Sequence, residues 1–465
     1  MITDIGSIAR RLPEQRWFGF KDRAITSVEL LDEATLDDGP PALVLALLRV
    51  TIDDEPILFQ LPLLVEEDGT SRDPAEEPGR LAIFGELMAH GDSIKGSSGV
   101  FHFGGPGLDP LAVPPGSGSV RVVDAEQSNT SIVLDESVIL KFFRKVDIGP
   151  NPDLELNRLL TSEGFDHIPA QLGEVTYEAE IDGDEATIDL AIAQQLIGDS
   201  TEGWSYLLSL LHRFYDEVDP ADAREDHVFL TEERARESLD ALEELGDVTA
   251  SLHVALARDE SNPDLVPEPM SPGDLEQLVA EIRSSITNVP AEALKGVARI
   301  LKDVESIEDA GYRIRVHGDY HLGQVLRSAR GWMILDFEGE PLRPLEVRRA
   351  KLNPLKDVSG MLRSLNYAAV ATLFERAQPD GDEWERLAPW ADVWEDLARD
   401  RFLTAYLTRA HEGRFLPADR DALAGLLAAF EVEKALYELD YEKGHRPDWI
   451  RIPERGIVRV AERAR

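Results

Sequence analysis

The stretch "VHGDYHLGQVL", residues 316–326, carries two side chains whose chemistry suits group transfer. The Asp319 carboxylate can accept a proton from an attacking hydroxyl, or hold that hydroxyl in line with its target. Gln324, five residues later, offers an amide oxygen that can bind a divalent metal ion. His317 and His321 flank the aspartate, and we expect them to brace this loop by hydrogen bonds.

A second acidic segment, "MILDFEGEP", follows at residues 333–341. Asp336 stands at the end of an apolar strand and provides the carboxylate oxygen that Mg²⁺ prefers. Glu338 would point the same way if the strand continued. An acidic run before a proline is also ordinary turn chemistry, so the segment gains meaning only together with the others.

A lysine and a glutamate earlier in the chain complete the set. Lys141 alternates with apolar neighbours in "SVILKFF", and Glu155 lies fourteen residues later near the start of a predicted helix. A strand lysine facing a helix glutamate can hold nucleotide phosphates, as in protein kinases. Alone, such a lysine is usually a solvated edge charge. The ordered set of Lys141, Glu155, Asp319, Gln324 and Asp336 instead predicts an ATP- and Mg²⁺-dependent phosphotransferase.

The segment before Lys141 contains neither GxGxxG nor a Walker motif. It reads "EQSNTS", residues 126–131, whose polar side chains and backbone N–H groups can bind phosphate oxygens without glycine. We expect five of its residues to contact the nucleotide: Gln127, Ser128, Asn129, Thr130 and Ser131.

The elements that must position these residues change in type along the chain. Runs such as "ALVLALLRVTI" and "PILFQLPLLV" predict strands before about residue 95, and "SIVLDESVILKFF" predicts two strands joined at residues 135–137. Asn151 and Pro152 indicate the start of a helix. Apolar residues at three- and four-residue steps predict helices from about residue 202 onward. We therefore predict subdomains at 1–95, 96–200 and 201–465.

Composition excludes several classes of protein. The formal net charge is −41, which opposes binding to nucleic acids and to anionic membrane surfaces. The chain has no cysteine, so it has no disulfide or thiolate site. The N-terminus lacks an apolar signal core, and no apolar run is long enough to span a bilayer. We expect a cytoplasmic protein.

Several blocks resemble the bacterial maltokinases, in the aminoglycoside-phosphotransferase-like branch of the protein-kinase fold. They are "RWFGFKDR", the segment around "NTSIVLDESVILKFFRK", "RVHGDYHLGQVL", "ILDFEGEP", "PLKDVSGMLRSLNYAA" and "ELDYEKGHRPDW". The resemblance implies an α+β, bilobal protein-kinase-like fold with an N-terminal β-rich cap subdomain and a large helical C-terminal lobe. It also implies phosphorylation of maltose at its anomeric hydroxyl for α-glucan synthesis, and a possible complex with trehalose synthase.

The same resemblance implies roles for individual residues. Lys141 would hold the nucleotide α and β phosphates, oriented by Glu155, and the strand containing Gln195 and Ile197 would meet adenine. Asp319 would be the catalytic aspartate, with Gln324 and Asp336 as metal ligands. The implied substrate-binding set is His317, Asp319, Glu338, Tyr437, Glu438, Tyr441, Glu442 and Arg446.

The C-terminal helix leaves two interpretations open. Tyr437 and Tyr441 are four residues apart, so both lie on one helical face. They can stack on sugar C–H groups while nearby carboxylates bind hydroxyls. They can equally be core aromatics of an amphipathic helix.

Two alternatives to the maltose interpretation remain. The same fold can phosphorylate glucosamine, another hexose or an aminoglycoside, and a negatively charged protein suits a cationic acceptor. The chain can also be a pseudokinase-type regulatory partner, although the presence of Lys141, Asp319 and Asp336 argues against that. Among the other histidines, His253 lies on an apolar helical face and is expected in the core.

Overall fold

The computed structural model describes residues 2, 4–105, 119–123, 129–219, 222–258, 262–340 and 343–464. The chain forms two compact units, Met1–Gly198 with Pro341–Leu345, and Asp199–Glu340 with Glu346–Arg465. No described helix combines the length and the apolar character needed to cross a lipid bilayer.

The first unit is mostly β-structure. Its helices are α1 (Ile5–Arg11), α2 (Ala82–His90) and α3 (Pro152–Ser162). Its strands are β1 (Ile25–Asp37), β2 (Ala42–Ile52), β3 (Glu55–Val65), β4 (Ser71–Arg72), β5 (Ser93–Lys95), β6 (Gly99–Gly104), β7 (Val120–Val123), β8 (Thr130–Leu134), β9 (Val138–Phe142), β10 (Lys145–Val146), β11 (Gln171–Ile181) and β12 (Asp184–Gln195).

Two sheets organise this unit. The first has the order β1-β2-β3-β10, with β4 paired to β3, and the second has the order β5-β6-β11-β12-β9-β8-β7. Strand β2 is buried on both faces: Leu43, Leu45 and Leu47 pack into one core cluster, while Val44 and Ala46 pack into another. Successive strand side chains point to opposite faces, so this run of apolar residues serves two cores at once.

The β8–β9 hairpin places Lys141 in the middle of the second sheet. The hairpin connection consists of residues 135–137, and Asp135 and Glu136 in it adopt positive φ angles of 49° and 50°. The turn lies where the sequence predicts it. Lys141 pairs with Ser131 on β8 and with Ile192 on β12, so it lies within the sheet and not at its edge.

The second unit is mainly helical. Its helices are α4 (Gly203–Asp216), α5 (His227–Arg234), α6 (Arg236–Leu256), α7 (Pro272–Ser284), α8 (Leu294–Glu305), the one-turn α9 (Leu345–Arg348), whose first residue is assigned to the first unit, α10 (Leu355–Arg376), α11 (Asp382–Ala410), α12 (Arg420–His445) and α13 (Arg451–Arg463). Its strands are β13 (Thr201–Glu202), β14 (Glu268–Pro269), β15 (Tyr312–Arg313), β16 (Val325–Ser328) and β17 (Gly331–Ile334), in sheets of order β13-β16-β17 and β14-β15.

Candidate active site

Lys141 is a buried lysine, and it is paired. Its Nζ donates to Asp153 Oδ2 at 3.2 Å, and both side chains are buried. The sequence analysis gave this role to Glu155, and that assignment stays a prediction; the carboxylate that contacts Lys141 in the structure is Asp153. Glu155 is half-buried and its charge acts on Arg158 and Asp189. Because residues two apart on a helix face different directions, Asp153 and Glu155 cannot both face the strand in the same way.

Asp153 is itself held by a hydrogen-bond chain. Asn157 Nδ2 donates to Asp153 Oδ1 at 2.9 Å and to the Asp153 carbonyl at 2.8 Å. Gln194 Nε2 on β12 donates to Asn157 Oδ1 at 2.9 Å. These bonds fix the carboxylate that fixes Lys141, and neither Asp153 nor Asn157 was identified from the sequence. An asparagine one turn after an aspartate was the available signal.

Helix α3 begins as predicted. Asn151 Oδ1 accepts from the Asp153 N–H at 2.9 Å, and Pro152 is the first helical residue. The Asn151 N–H donates to Asp189 on β12 at 2.7 Å. Burial raises the pKa of Asp189 to about 6, although the Asn151 N–H and Arg158 oppose the rise.

The predicted phosphate-binding segment is described only in part. Gln127 and Ser128 lie outside the described residues. Asn129 and Ser131 are buried, and Thr130 Oγ1 accepts from Arg144 Nε at 2.8 Å. Gln195, at the end of β12, is exposed, and its N–H donates to the Ala170 carbonyl at 2.9 Å. Ile197 is half-buried.

In the second unit, His317 holds the loop that carries Asp319. Its Nε2 bonds to the Leu335 carbonyl at 2.8 Å, and its Nδ1 accepts from the Asp319 N–H at 3.4 Å. A carbonyl can only accept, so Nε2 carries the proton. Leu335 precedes Asp336, so this one imidazole links the two acidic segments. The predicted bracing role of His317 agrees with these contacts, whereas its predicted contact with substrate stays a prediction.

Asp357, which sequence reasoning missed, holds the same loop from the first turn of α10. This buried carboxylate accepts from the N–H groups of His317 and Gly318, at 2.8 and 3.0 Å, and bonds to His253 Nε2 at 3.2 Å. Burial alone would raise the pKa of Asp357, but the bonds and charge of His253 and the Gly318 N–H hold it below its ordinary value. His253 lies in the core, as predicted.

Asp319 is half-buried and has two basic neighbours. Its Oδ1 lies 3.6 Å from Lys434 Nζ, and its Oδ2 lies 3.8 Å from His321 Nε2. Burial lowers the pKa of His321, against the attraction of Asp319. Burial would also lower the pKa of Lys434, but the charges of Asp319 and Glu438 raise it. Lys434 therefore stays charged beside the predicted catalytic carboxylate, and it was not identified from the sequence.

Asp336 and Gln324 lie together, as their predicted metal role requires. Gln324 Nε2 donates to Asp336 Oδ2 at 3.4 Å. Asp336 has φ +64°, a left-handed conformation that is uncommon outside glycine and recurs at functional sites. A carboxylate and an amide oxygen fit Mg²⁺, which prefers oxygen ligands, although Gln324 must rotate its amide to present oxygen. Glu338 is buried.

The two tyrosines of α12 are exposed. Tyr437 and Tyr441 retain 47% and 44% of their accessible surface, so their interpretation as core residues is wrong. Lys434 Nζ lies 5.2 Å from the Tyr437 ring centre, and Tyr441 stacks on His445 at 4.3 Å. Tyr437 thus shares a neighbour with Asp319.

The carboxylates predicted to bind sugar hydroxyls have partners within the protein. Glu438 accepts from Arg363 Nε at 2.9 Å, and its Oε2 lies at the ion-pair distance of 2.8 Å from Arg363 Nη2. Glu442 is buried, and it accepts from Tyr367 Oη at 3.1 Å and from Arg446 Nη2 at 2.7 Å. These contacts give Glu438, Glu442 and Arg446 a structural role, and their predicted contacts with substrate stay predictions.

Comparison with known proteins agrees with this description at three levels. Residues 12–89 match the family described as the Maltokinase N-terminal cap domain. This range lies inside the predicted first subdomain and contains "RWFGFKDR". The division of the first unit into subdomains at 1–95 and 96–200 stays a prediction.

Two curated relatives cover most of the chain. The glucosamine kinase of Mycolicibacterium smegmatis (strain ATCC 700084 / mc(2)155) is 26% identical over 413 residues, which cover 81% of this chain and 94% of the relative. The glucosamine kinase of Streptacidiphilus jiangxiensis is 27% identical over 345 residues, which cover 73% and 72% of the two chains.

Solved structures match over nearly the whole length. A glucosamine kinase in complex with glucosamine, ADP and inorganic phosphate has a TM-score of 0.70 at 20% identity and covers 99% of this chain and 100% of its own. A second crystal form of a glucosamine kinase has a TM-score of 0.69 at 22% identity, with 95% of each chain covered. The fold is the same. The predicted α+β, protein-kinase-like class is thereby confirmed.

Proposed function

We propose that the chain is an ATP-dependent sugar phosphotransferase whose acceptor is an amino sugar of the glucosamine class. The observation that best supports phosphotransferase activity is the set of contacts that hold the loop of Asp319 in place. The His317 imidazole and the buried Asp357 carboxylate hold its loop, and the same imidazole contacts the carbonyl of Leu335, the residue before Asp336. Catalytic carboxylates need this kind of fixed placement.

In the proposed reaction, the acceptor hydroxyl oxygen attacks the γ-phosphorus of ATP as the bond to the ADP oxygen breaks. Asp319 orients this hydroxyl and takes its proton. Lys141, held by Asp153, binds nucleotide phosphate oxygens and offsets their charge. Asp336 and Gln324 would hold Mg²⁺, which supplies further positive charge against the phosphates. That these side chains serve one nucleotide stays a prediction.

Two observations support an amino sugar as the acceptor. Both curated relatives are glucosamine kinases, and one of them aligns over 94% of its length. The net charge of −41 attracts a cationic acceptor through the field of the whole protein. This acceptor replaces maltose, the principal sequence-based hypothesis, and corresponds to its stated alternative.

Maltose remains the second candidate because residues 12–89 match the maltokinase cap family. A cap domain can accompany more than one acceptor, since specificity lies in the site and not in the fold. The predicted complex with trehalose synthase depends on the maltose interpretation and stays a prediction with it.

An acceptor panel tests the proposal. ADP release is measured with ATP–Mg²⁺ and glucosamine, maltose, glucose or kanamycin, and the background without acceptor is subtracted. We expect the highest kcat/KM with glucosamine. Turnover with maltose and not with glucosamine would reverse the order of the two candidates, whereas absence of ATP binding would favour the pseudokinase alternative.

A further inference from the structure

The first unit contains a small cavity between residues of α1 and β3. The cavity has a volume of about 40 Å³. This volume has room for a few water molecules or one small oxyanion. Its polar wall consists of Arg11, Gln15, Trp17, Asp73 and Arg144, and residues 61–63 of β3 form the apolar side. Trp17 belongs to the "RWFGFKDR" segment.

Arg144 is a buried cation, and it has no partner of opposite charge at close range among the described residues. It is 3% exposed, its Nε donates to the neutral hydroxyl of Thr130, and its guanidinium lies 5.3 Å from the Trp17 ring centre. Burial lowers the pKa of Arg144 to about 10, so the side chain stays protonated at neutral pH. In the described part of the chain, no carboxylate lies within ion-pair distance of it, and only the more distant Asp73 favours its charge. An unpaired buried charge is costly.

Two more donors of the same wall have no acceptor in the part of the chain that the structure describes. Arg11 donates from Nη2 to Ser71 Oγ at 3.1 Å, yet its buried Nε has no hydrogen-bond partner among the described residues. The buried indole Nε1 of Trp17 likewise has none there. Buried donors are normally paired, so the wall is an incomplete hydrogen-bonding site.

We propose that this cavity binds a phosphate-type oxyanion, either inorganic phosphate or the phosphate group of a small monoester. Two guanidinium groups and one carboxylate leave a single net positive charge, which a singly charged phosphate balances. Its unprotonated oxygens accept from Arg11, Trp17 and Arg144, and a phosphate hydroxyl donates to Asp73. Charged hydrogen bonds of this kind offset the burial of Arg144.

Binding of an anion in the cavity is expected to affect the strands around Lys141. Arg144 follows Lys141 by three residues, and Thr130, which it holds, pairs with Phe142 on β9. The next residue of β8, Ser131, pairs with Lys141 itself. An anion that pulls on Arg144 should therefore change nucleotide affinity; this consequence, unlike the site, rests on the proposed function.

Calorimetric titration of the full-length protein with inorganic phosphate, and separately with glucose 6-phosphate, tests the site. We expect Arg11→Gln to weaken binding about tenfold or more and Trp17→Phe, which keeps the aromatic packing but removes the N–H, to weaken it several-fold. Arg10→Gln, an exposed arginine on the same helix, is the matched control and should bind as wild type. Phosphate bound at the nucleotide site would need Lys141, whereas phosphate bound in the cavity would not. We therefore expect Lys141→Met to retain phosphate binding.

Either ligand, bound in this cavity-dependent way, supports the proposal, and the stronger one identifies the source of the phosphate group. No binding of either ligand at millimolar concentration overturns it. So does unchanged affinity in both cavity variants, or loss of binding in Lys141→Met. The titration needs neither acceptor nor turnover, so failure of this proposal and failure of the proposed function are separate results.

Discussion

Asp319 combines partial exposure with fixed placement, because its backbone is held while its carboxylate remains accessible. The contacts to Lys434 and His321 are longer than 3.5 Å, so neither basic group binds the carboxylate tightly. A carboxylate in this position can receive a proton from an acceptor hydroxyl. The charged Lys434 nearby can offset the phosphoryl charge.

Replacing this carboxylate should therefore affect turnover and not folding. We expect Asp319→Asn to lower kcat by about 10²–10⁴-fold with the melting temperature unchanged within error, since proton transfer is lost but shape is kept. Steady-state kinetics and thermal unfolding check this, with the exposed Asp421→Asn as control. Activity near that of wild type in Asp319→Asn would remove it from the catalytic role.

The ion pair of Lys141 gives a second test at the residue scale. Asp153→Asn should raise the KM for ATP and lower kcat, because Lys141 loses the carboxylate 3.2 Å away that orients it. Glu155→Gln should have a much smaller effect on both constants. A larger effect in Glu155→Gln than in Asp153→Asn would restore the partner predicted from the sequence.

At the scale of elements, much of the structure could be predicted because local signals agree with it. Strand β2 spans the residues of the run "ALVLALLRVTI", and Asn151 with Pro152 begins α3 where expected. The choice between Asp153 and Glu155 could not be made, since it depends on how α3 is rotated against β12. Both acids lie in the first turn of α3, and the sequence alone gives no means of orienting them.

The C-terminal helix shows the same limit. The four-residue spacing correctly puts Tyr437 and Tyr441 on one face, but only the neighbouring elements determine that this face is exposed. Asp357 was missed because an acidic residue in the first turn of a helix is normally assigned to the helix dipole. Its burial and its bonds to the His317–Gly318 backbone arise from contacts distant in sequence.

Two substitutions on helix α12 should distinguish residues that bind the acceptor from residues that stabilise the fold. Tyr437→Ala is expected to raise the acceptor KM several-fold without loss of stability, since the exposed ring contributes little to the core. Glu438→Gln should instead lower the free energy of unfolding by about 3 kcal/mol, because it leaves the buried Arg363 without its charge partner. Acceptor kinetics and denaturant unfolding of both variants check this. A stable Glu438→Gln with a raised acceptor KM would return Glu438 to the sugar site.

The buried Asp189 on β12, which accepts from the Asn151 N–H at the start of α3, should make the stability of the protein depend on pH. The folded pKa of Asp189 is about 6, above its ordinary 3.8, so the folded state binds more protons between these values and stability falls as pH rises through them. Asp189→Asn removes this component. Its free energy of unfolding should match wild type below pH 4 and exceed it by about 2–3 kcal/mol above pH 6. Denaturant unfolding from pH 3.5 to 7.5 measures the difference, and a difference that does not change with pH would contradict the prediction.

At the scale of the whole molecule, the fold and the strong negative charge have different consequences. The fold, shared with glucosamine kinases at a TM-score of 0.70, accounts for the placement of Lys141 in a sheet and of Asp319 in a helical unit. The charge of −41 bears on the acceptor, since it favours a cationic sugar over a neutral one. Neither property alone identifies the sugar.

We propose above all that this chain moves the γ-phosphoryl group of ATP to an amino sugar. Phosphorus-31 NMR of the purified protein with ATP, Mg²⁺ and glucosamine follows that transfer directly. We predict that a sugar phosphomonoester signal grows in step with ADP and is absent with Asp319→Asn. Formation of ADP with inorganic phosphate alone, or an unchanged ATP spectrum in the presence of glucosamine, would contradict the account.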